Sequence, residues 1–259
     1  MSASLRAQVG LLAWRSIVRT ARQPAQMVPA VVFPLFLLAV NSSGLESATR
    51  LPGFPTGSYL TFALAVPFIQ AGLFAVLNGG TDLARDVETG FLDRLALTPL
   101  SGLGLLLGQL AGVLALTVFQ VVVFLCVGLI AGAHFDAGVG GFFVLLALAL
   151  TIALAFGGIG MFAALRLGSG EAVQGLFPVF FVFLFLSSMS LPRNLISTDW
   201  FRTVATYNPV SYLIEGVRSL FLSGWDAEAL ALAFGLGAII TVASMAAATA
   251  ALRTRLVRT

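Results

Sequence analysis

Charged residues are absent from several long stretches of this chain, and each stretch is long enough to cross a lipid bilayer. A membrane-spanning helix needs about 20 mainly apolar residues. Six runs meet this condition and predict transmembrane helices over residues 24–42, 58–80, 103–132, 142–165, 172–189 and 228–252. The first run contains Pro29 and Pro34, which a membrane helix tolerates where neighbouring groups satisfy the freed carbonyls. The pattern therefore predicts an all-α integral membrane protein with a single domain over residues 1–259.

A shorter helical pattern precedes the first predicted span. Over residues 5–22, Arg15, Arg19 and Arg22 share one helical face, whereas the opposite face is apolar and has Trp14 beside it. A basic amphipathic helix with such a face typically lies in the membrane interface. We therefore expect an N-terminal interfacial helix on the same side as the loop that follows the second span.

The long loop at residues 190–227 contains a second short helix, predicted over residues 209–222. Asn208 is suited to be its N-cap and Pro209 its first residue, and Glu215 can pair with Arg218 one turn further on. A helix of this length extends about 21 Å, which is less than the bilayer core of about 30 Å. We expect it to lie in the outer leaflet or to enter the membrane and return, as an outer re-entrant helix.

Composition agrees with the hydropathy pattern. The chain is 59% hydrophobic and 10% charged, whereas soluble domains carry about 25% charged residues. All 14 basic residues are arginine; ten lie on the predicted side of the termini and four on the other. The positive-inside rule therefore predicts cytoplasmic termini. The use of arginine without lysine, with abundant Ala, Gly, Leu and Val, indicates a GC-rich bacterial source and hence a bacterial plasma membrane.

Several kinds of chemistry are excluded by residues that the chain lacks. A Walker A loop needs a lysine for the phosphates, and there is none. With one cysteine, Cys126, and one histidine, His134, the chain cannot build a metal cluster of those residues or an internal disulfide. The polar residues inside the predicted spans are neutral, namely Gln70, Asn78, Gln109, Gln120 and Gln174. We expect no catalytic residue, no cofactor and no nucleic-acid partner, so active transport would draw its energy from a separate chain.

Charge is concentrated in the predicted cytoplasmic loop at residues 81–101. Six of the 25 charged residues (14 Arg plus 11 acidic) fall between Asp82 and Arg94. Acidic residues outnumber basic ones there, although topology alone would favour basic residues. The loop also has a helical pattern, which Gly90 is suited to break and Pro99 to stop. The alternatives are a solvated loop and a structured docking surface for another protein, and the second explains the pattern better.

This loop resembles that of the ABC-2 permease family, the membrane subunits of bacterial ABC exporters of drugs and lipids. The similarity is strongest in RDVETGFLDRLALTPLSGLGLLLGQL, and it extends over nearly the whole chain. The resemblance implies a coupling helix that docks on a separate ATPase subunit, which would bind ATP and Mg²⁺. The positions that match are Glu88, Thr89, Gly90, Leu92, Arg94, Thr98 and Pro99. Thr89 stands where the family often has a basic residue.

A second similarity to the family is the pair FLFLSSMSLPRNLI and YNPVSYLIEGVRSLF. The matching residues are Ser190, Pro192, Asn208, Pro209 and Arg218. We group Glu215 with them, because it lies in the predicted outer helix. The resemblance also implies two partners within the membrane. One is a second permease, either a copy of this chain or a related one, and the other is the lipid bilayer itself.

The candidate substrate path is the face of the second span that carries Gln70, Phe74 and Asn78, together with Phe177 and Phe181 in the fifth. A polar group in hydrocarbon is costly unless it is paired, so this face lies against a pathway or forms a hydrogen bond to another helix. The leading function is export of a hydrophobic or amphipathic molecule. Export of a polysaccharide or lipid-linked glycan is the alternative, and a membrane scaffold that binds a soluble partner is a third.

Overall fold

The computed structural model describes residues 5–92 and 102–258, and these residues form a bundle of α-helices. The helices are α1 (Leu5–Ala21), α2 (Pro24–Gly44), α3 (Tyr59–Ala63), α4 (Ala65–Glu88), α5 (Gly102–Ile130), α6 (Gly138–Leu167), α7 (Gly170–Gln174), α8 (Phe177–Phe185), α9 (Asp199–Tyr207), α10 (Pro209–Leu222) and α11 (Ala227–Arg258). Short 3₁₀ helices occupy Glu46–Arg50 and Arg193–Leu195. The described residues contain no strand, which confirms the all-α membrane class.

Five helical segments are long and apolar enough to cross a membrane. They are Pro24–Gly44, Tyr59–Glu88, Gly102–Ile130, Gly138–Leu167 and Ala227–Arg255, and they coincide with five of the predicted spans. The remaining predicted span, at 172–189, consists of α7 and α8, which together reach only from Gly170 to Phe185. The interruption lies at Gly175 and Leu176; α8 then begins at Phe177 and has Pro178 in its first turn.

The α7–α8 segment and the residues that follow it, as far as Ser190, nevertheless run beside α4 and α3. At one end, the Gly170 amide donates to a carboxylate oxygen of Glu88 at 3.2 Å. At the other, the Tyr59 hydroxyl donates to the Ser190 carbonyl at 2.9 Å. We call these the Glu88 end and the Tyr59 end of the bundle.

Helix α4 is the central helix, and glycines bring it close to α6. A Cβ atom built on Gly160 would overlap the carbonyl oxygen of Val76, and one built on Gly80 would lie 2.8 Å from the carbonyl oxygen of Gly160. Small residues allow membrane helices to approach closely in this way. The contact fixes the face of α4 that carries Phe74 and Asn78.

One of the two prolines in the interior of α2, Pro34, is accommodated by a neighbouring helix. Pro34 cannot donate to the Ala30 carbonyl one turn earlier, because proline has no backbone N–H. The side chain of Gln120 in α5 donates to that oxygen at 2.8 Å, and Gln120 is fully buried. This contact confirms that a neighbour satisfies a carbonyl freed by proline, and it gives Gln120 a structural task.

Candidate functional site

The charged loop begins as a continuation of α4, which extends eight residues beyond the predicted end of the second span. The Thr89 hydroxyl donates to the Arg85 carbonyl at 2.9 Å. Gly90 follows with φ of +66°, a left-handed conformation that favours glycine. The predicted break at Gly90 is confirmed, because the helix stops there before a new turn begins at Phe91.

The residues that resemble a coupling helix are unequally exposed. Glu88 and Thr89 are exposed and Gly90 is half-buried, whereas Leu92 is 1% exposed and belongs to the hydrophobic core. The exposed side chains can meet a partner, but Leu92 holds the loop to the bundle. Arg94, Thr98 and Pro99 lie outside the described residues.

Two acidic residues of this region point inward, toward α1. Asp86 is 2% exposed and accepts hydrogen bonds from Arg15 at 2.9 and 3.2 Å, from Arg19 at 3.0 Å and from the Gln109 amide. Arg19 also forms an ion pair with Asp82 at 3.1 Å. These carboxylates are therefore neutralised within the chain. The expectation that the acidic surplus forms an external docking surface is wrong for Asp82 and Asp86.

Helix α1 is packed against the bundle rather than separate from it. Ser16 donates to the Gln109 carbonyl at 2.6 Å and accepts from the Gly112 amide at 3.1 Å. A Cβ atom on Gly108 would lie 2.8 Å from Leu12. These glycines of α5 thus allow α1 to pack closely against it. Trp14 remains 66% exposed, as expected for an anchor in the membrane interface.

The cation of Arg15 also reaches the turn that follows Gly90. Its guanidinium carbon lies 3.9 Å from the centroid of the Phe91 ring. Arg15 thereby joins α1, the end of α4 and the start of the loop. The amphipathic pattern of α1 predicts arginines at the membrane surface and does not reveal this group. Two pairs of opposite charge at helical spacing, Arg15 with Arg19 and Asp82 with Asp86, indicate in the sequence that α1 and α4 can form ion pairs.

A cleft opens between α2, α4 and the α7–α8 segment, toward the Glu88 end. Its volume is about 380 Å³. Its lining consists of Ala25, Gln26, Pro29, Phe74, Leu77, Asn78, Thr81, Gln174 and Phe177. None of these described residues is charged, and three of them carry neutral amides. The predicted residues Phe74, Asn78 and Phe177 are therefore brought together, and Gln26 and Gln174 join them.

An aromatic lane continues from this cleft toward the Tyr59 end. Ring centroids of Phe74 and Phe177 are 5.9 Å apart, those of Phe177 and Phe181 are 4.9 Å apart, and those of Phe181 and Phe185 are 5.4 Å apart. The lane forms an open groove of about 470 Å³ on the outside of α8. Phe177 lines both the cleft and the groove, so the two are adjacent.

Gln70 does not reach this cleft. It is 1% exposed, and neither atom of its side-chain amide has a hydrogen-bond partner among the described residues. It faces a separate cavity of about 10 Å³, which Pro34, Asn41 and Tyr59 also line. Of the predicted Gln70–Phe74–Asn78 face, only the last two residues line the candidate path.

At the Tyr59 end, Asn208 joins α10 to the end of α8. Its side-chain oxygen accepts from the Val210 amide at 2.9 Å, and its side-chain nitrogen donates to the carbonyls of Phe183 and Leu186 at 2.6 and 2.9 Å. The predicted N-cap and the bounds of this helix are confirmed. Pro209 is the first helical residue, and the Ser188 amide donates to the Ser211 hydroxyl of α10 at 3.0 Å.

The polar face of α10 is mostly buried, and its ion pair differs from the predicted one. Glu215 pairs with Arg193, which follows Pro192, rather than with Arg218. Partial burial by itself would lower the pKa of Arg193, but hydrogen bonds to Glu215 and Tyr212 outweigh it and place this pKa above its ordinary value. The reason for the change of partner is that Arg218 turns inward, toward backbone carbonyls. Helix α9 (Asp199–Tyr207), which precedes α10 in the same loop, was not predicted from the sequence.

The ABC-2 type transporter family matches residues 7–222, which is most of the chain. The chain belongs to the ABC-2 type transporter family. It is therefore a membrane permease of an ABC transporter. Members of this family are transmembrane subunits rather than ATPases.

Similar proteins are known from algae. A protein named transport permease ycf38 from Pyropia yezoensis is 28% identical over 228 residues, which cover 87% of this chain and 78% of the relative. The protein of the same name from Porphyra purpurea is 27% identical over 217 residues, covering 83% and 74%. That from Cyanophora paradoxa is 25% identical over 221 residues, with the same coverage.

Proposed function

We propose that this ABC-2 permease is the membrane subunit of an exporter that moves a hydrophobic or amphipathic molecule, drug-like or lipid-like, out of the cytoplasm or inner leaflet. The observation that carries the proposal is the uncharged cleft between α2, α4 and α7–α8, which adjoins the aromatic lane at Phe177. Phenyl rings provide apolar surface, and the amides of Gln26, Asn78 and Gln174 provide hydrogen bonds for a polar group. A charged substrate would find no counter-charge among the described residues of this lining.

The Glu88 end is the proposed docking site of a separate ATPase subunit, which supplies ATP and Mg²⁺. Asn78 lies ten residues before Glu88 in the same helix, or about 15 Å along its axis. Glu88 also accepts from Gly170, which begins the segment that carries Gln174 and Phe177. A force applied at Glu88 thus reaches two walls of the cleft through direct connections. This arrangement supports mechanical coupling as the role of the loop.

The aromatic lane is open along α8, and we propose that a second permease covers it. Phe185 is 50% exposed, and transport along an open groove would not separate a substrate from lipid. A second copy of this chain or a related permease would close it. We place the Glu88 end and both termini in the cytoplasm of a bacterium, with six crossings of the plasma membrane. Arg15, Arg19 and Arg85 support this orientation by the positive-inside rule.

Replacing Glu88 with alanine is expected to weaken assembly with the ATPase subunit or uncouple its hydrolysis from transport. Glu88 is exposed and distant from the cleft, so insertion and substrate affinity should stay near normal. A hot-spot residue at the centre of an interface contributes about 2 kcal/mol or more, which corresponds to roughly 30-fold in affinity. Complex formation, ATPase activity and export are to be measured in the same reconstituted vesicles.

Arg85→Ala gives a matched comparison, because Arg85 is also exposed on the last turns of α4. It tests whether charge at this surface matters in general. The permease purified alone should not hydrolyse ATP. If Glu88→Ala abolished substrate binding but left coupled hydrolysis intact, the loop would be a substrate gate and the proposed role would be wrong.

Replacing Phe181 with alanine is expected to slow ATP-driven export of a lipophilic fluorescent dye by roughly tenfold. The change removes one ring from the middle of the lane, and a loss of about 1.4 kcal/mol corresponds to that factor. Phe183→Ala is the control, since Phe183 lies on another face of α8 and is 48% exposed. Equal effects of the two substitutions, or export of a glycan but of no lipophilic dye, would contradict the proposed path and substrate class.

A further inference from the structure

A second pocket, distinct from the cleft, opens at the Tyr59 end. It is lined by one face of α10, by the turn between α10 and α11, by Pro192–Asn194 and by Phe62, and its volume is about 540 Å³. Unlike the cleft, this pocket contains charged side chains. It includes the polar face of α10 that the sequence singled out and that the proposed transport path does not use.

The most buried charged group in this pocket is Arg218, which is 5% exposed. Its Nε donates to the Phe62 carbonyl at 3.1 Å, and one terminal nitrogen, Nη2, donates to the carbonyls of Ser188 and Met189 at 3.0 and 3.1 Å. Its guanidinium carbon lies 3.6 Å from the centroid of the Phe62 ring. All these partners are neutral.

The guanidinium of Arg218 therefore has unused capacity. It carries five N–H donors, and among the described residues the other terminal nitrogen, Nη1, has no hydrogen bond. No carboxylate of the described chain lies within 4.0 Å of this cation. Glu215 attracts this cation from a greater distance without touching it. A buried charge without a directly paired counter-charge is unfavourable, and an anion in the pocket would supply that pair.

The carboxylates nearest in sequence have other partners. Glu215 accepts from Nε of Arg193 at 2.7 Å, from a terminal nitrogen of the same arginine, and from the Ser188 hydroxyl at 3.0 Å. Asp226 is exposed at the rim, where it accepts from the Ala229 amide at 3.0 Å. Neither takes the place of an anion beside Arg218.

We propose that this pocket binds an oxyanion of the phosphate type. Nη1 of Arg218 is the principal donor, and the exposed amide of Asn194 is a second donor at the same pocket. Phe62 and Leu222 line the pocket as well, and they provide apolar surface for a chain attached to the phosphate. The same chemistry is offered by a phospholipid head group and by free phosphate. The proposal concerns binding alone and does not depend on the proposed transport function.

The test compares two lipids that differ only in the phosphate. The purified full chain in a neutral maltoside detergent is titrated with phosphatidic acid or with diacylglycerol of the same acyl chains, and bound lipid is counted by native mass spectrometry. Phosphatidic acid is expected to bind about tenfold more tightly, as charge-assisted hydrogen bonds typically provide. Equal binding of the two lipids would overturn the proposal.

Two arginine variants locate the site. Arg218→Gln should abolish the preference for phosphatidic acid, whereas Arg202→Gln should retain it. Arg202 is the matched control, because it is an arginine in the same loop region, but it is exposed and paired with Asp199. Wild-type binding by Arg218→Gln, or an equal loss in Arg202→Gln, would mean that the lipid binds surface charge and that the site is not in this pocket.

Arg218→Gln also removes the hydrogen bonds to the Ser188 and Met189 carbonyls, on which folding can depend. A third variant leaves these hydrogen bonds in place. Asp226→Asn keeps an acceptor for the Ala229 amide and removes a negative charge from the rim. It should tighten binding of phosphatidic acid about two- to threefold, since like charges repel; unchanged or weaker binding would count against the site.

Competition with inorganic phosphate distinguishes a lipid head group from free phosphate as the ligand. Displacement of the lipid by millimolar phosphate would identify the free anion as sufficient, and resistance to it would identify the lipid.

Discussion

Replacing Asp86 with alanine is expected to destabilise the permease by about 3 kcal/mol and to release α1 from the bundle. Asp86 is 2% exposed and is the common partner of Arg15, Arg19 and Gln109. Removing one member of a buried ion pair typically costs 3–5 kcal/mol, because the other charge stays buried without a partner. We expect the lower end of this range, since Arg15 is partly exposed and Arg19 retains Asp82.

The measurement is the thermal unfolding midpoint of the detergent-solubilised protein, with Glu88→Ala as the control. Both substitutions remove a carboxylate from α4, but Glu88 is exposed and has no ion pair within 4.0 Å among the described residues. Its loss should leave the midpoint nearly unchanged. Similar midpoints for the two variants would show that the cluster at α1 contributes little to stability.

Replacing Gly160 with alanine is expected to destabilise the bundle by about 3 kcal/mol, although alanine is the better helix former. A methyl group on Gly160 would overlap the carbonyl oxygen of Val76, which is part of the α4 backbone and has no rotamer with which to move away. Overpacking of this kind costs about 1–3 kcal/mol and sometimes more. Separation of α4 from α6 would also shift Phe74 and Asn78, so the cleft should change with stability.

Gly235→Ala in α11 provides the matched control. A Cβ atom at Gly235 meets nothing within 4 Å, so this variant should be neutral or up to ~1 kcal/mol more stable through helix propensity alone. Unfolding midpoints of both variants test the contrast. If Gly160→Ala matched Gly235→Ala, the close contact of α4 and α6 would not be a constraint on the fold.

The two predicted results concern the middle and the Glu88 end of one helix, and together they explain how α4 can serve coupling and transport at once. Glycine contacts hold its middle against α6, beside the cleft. Ion pairs hold its Glu88 end against α1. A displacement of that end thus acts on a firmly packed helix, which is what the proposed coupling requires.

Much of the fold was predictable because bilayer solvation acts on each segment separately. The long apolar helices, the N-cap at Asn208 and the break at Gly90 depend on local residue pattern, and all appear as expected. The α7–α8 segment was harder to predict. Its apolar composition is that of a span, but Gly175 and Pro178 interrupt its helix, and hydropathy does not register this interruption.

The candidate site was only partly predictable, because the sequence does not state which faces meet. Phe74, Asn78 and Phe177 were expected to share a path and do line one cleft. Gln70 lies on the same face of α4 and yet enters a separate cavity. Gln109, Gln120 and Gln174 carry the same side-chain amide. Gln109 and Gln120 form hydrogen bonds within the bundle, whereas Gln174 lines the cleft.

The sequence by itself determined that the chain is a helical membrane protein, that it has no ATPase motif, and that it resembles ABC-2 permeases, since composition and local motifs are sufficient for each. Tertiary structure alone decided that Asp82 and Asp86 bind α1, that Glu215 pairs with Arg193, and that Arg218 is buried among carbonyls. The physical reason is that a charge in an apolar bundle takes the partner that packing brings within reach. That partner lies 22 residues away for Glu215 and 71 for Arg15 with Asp86.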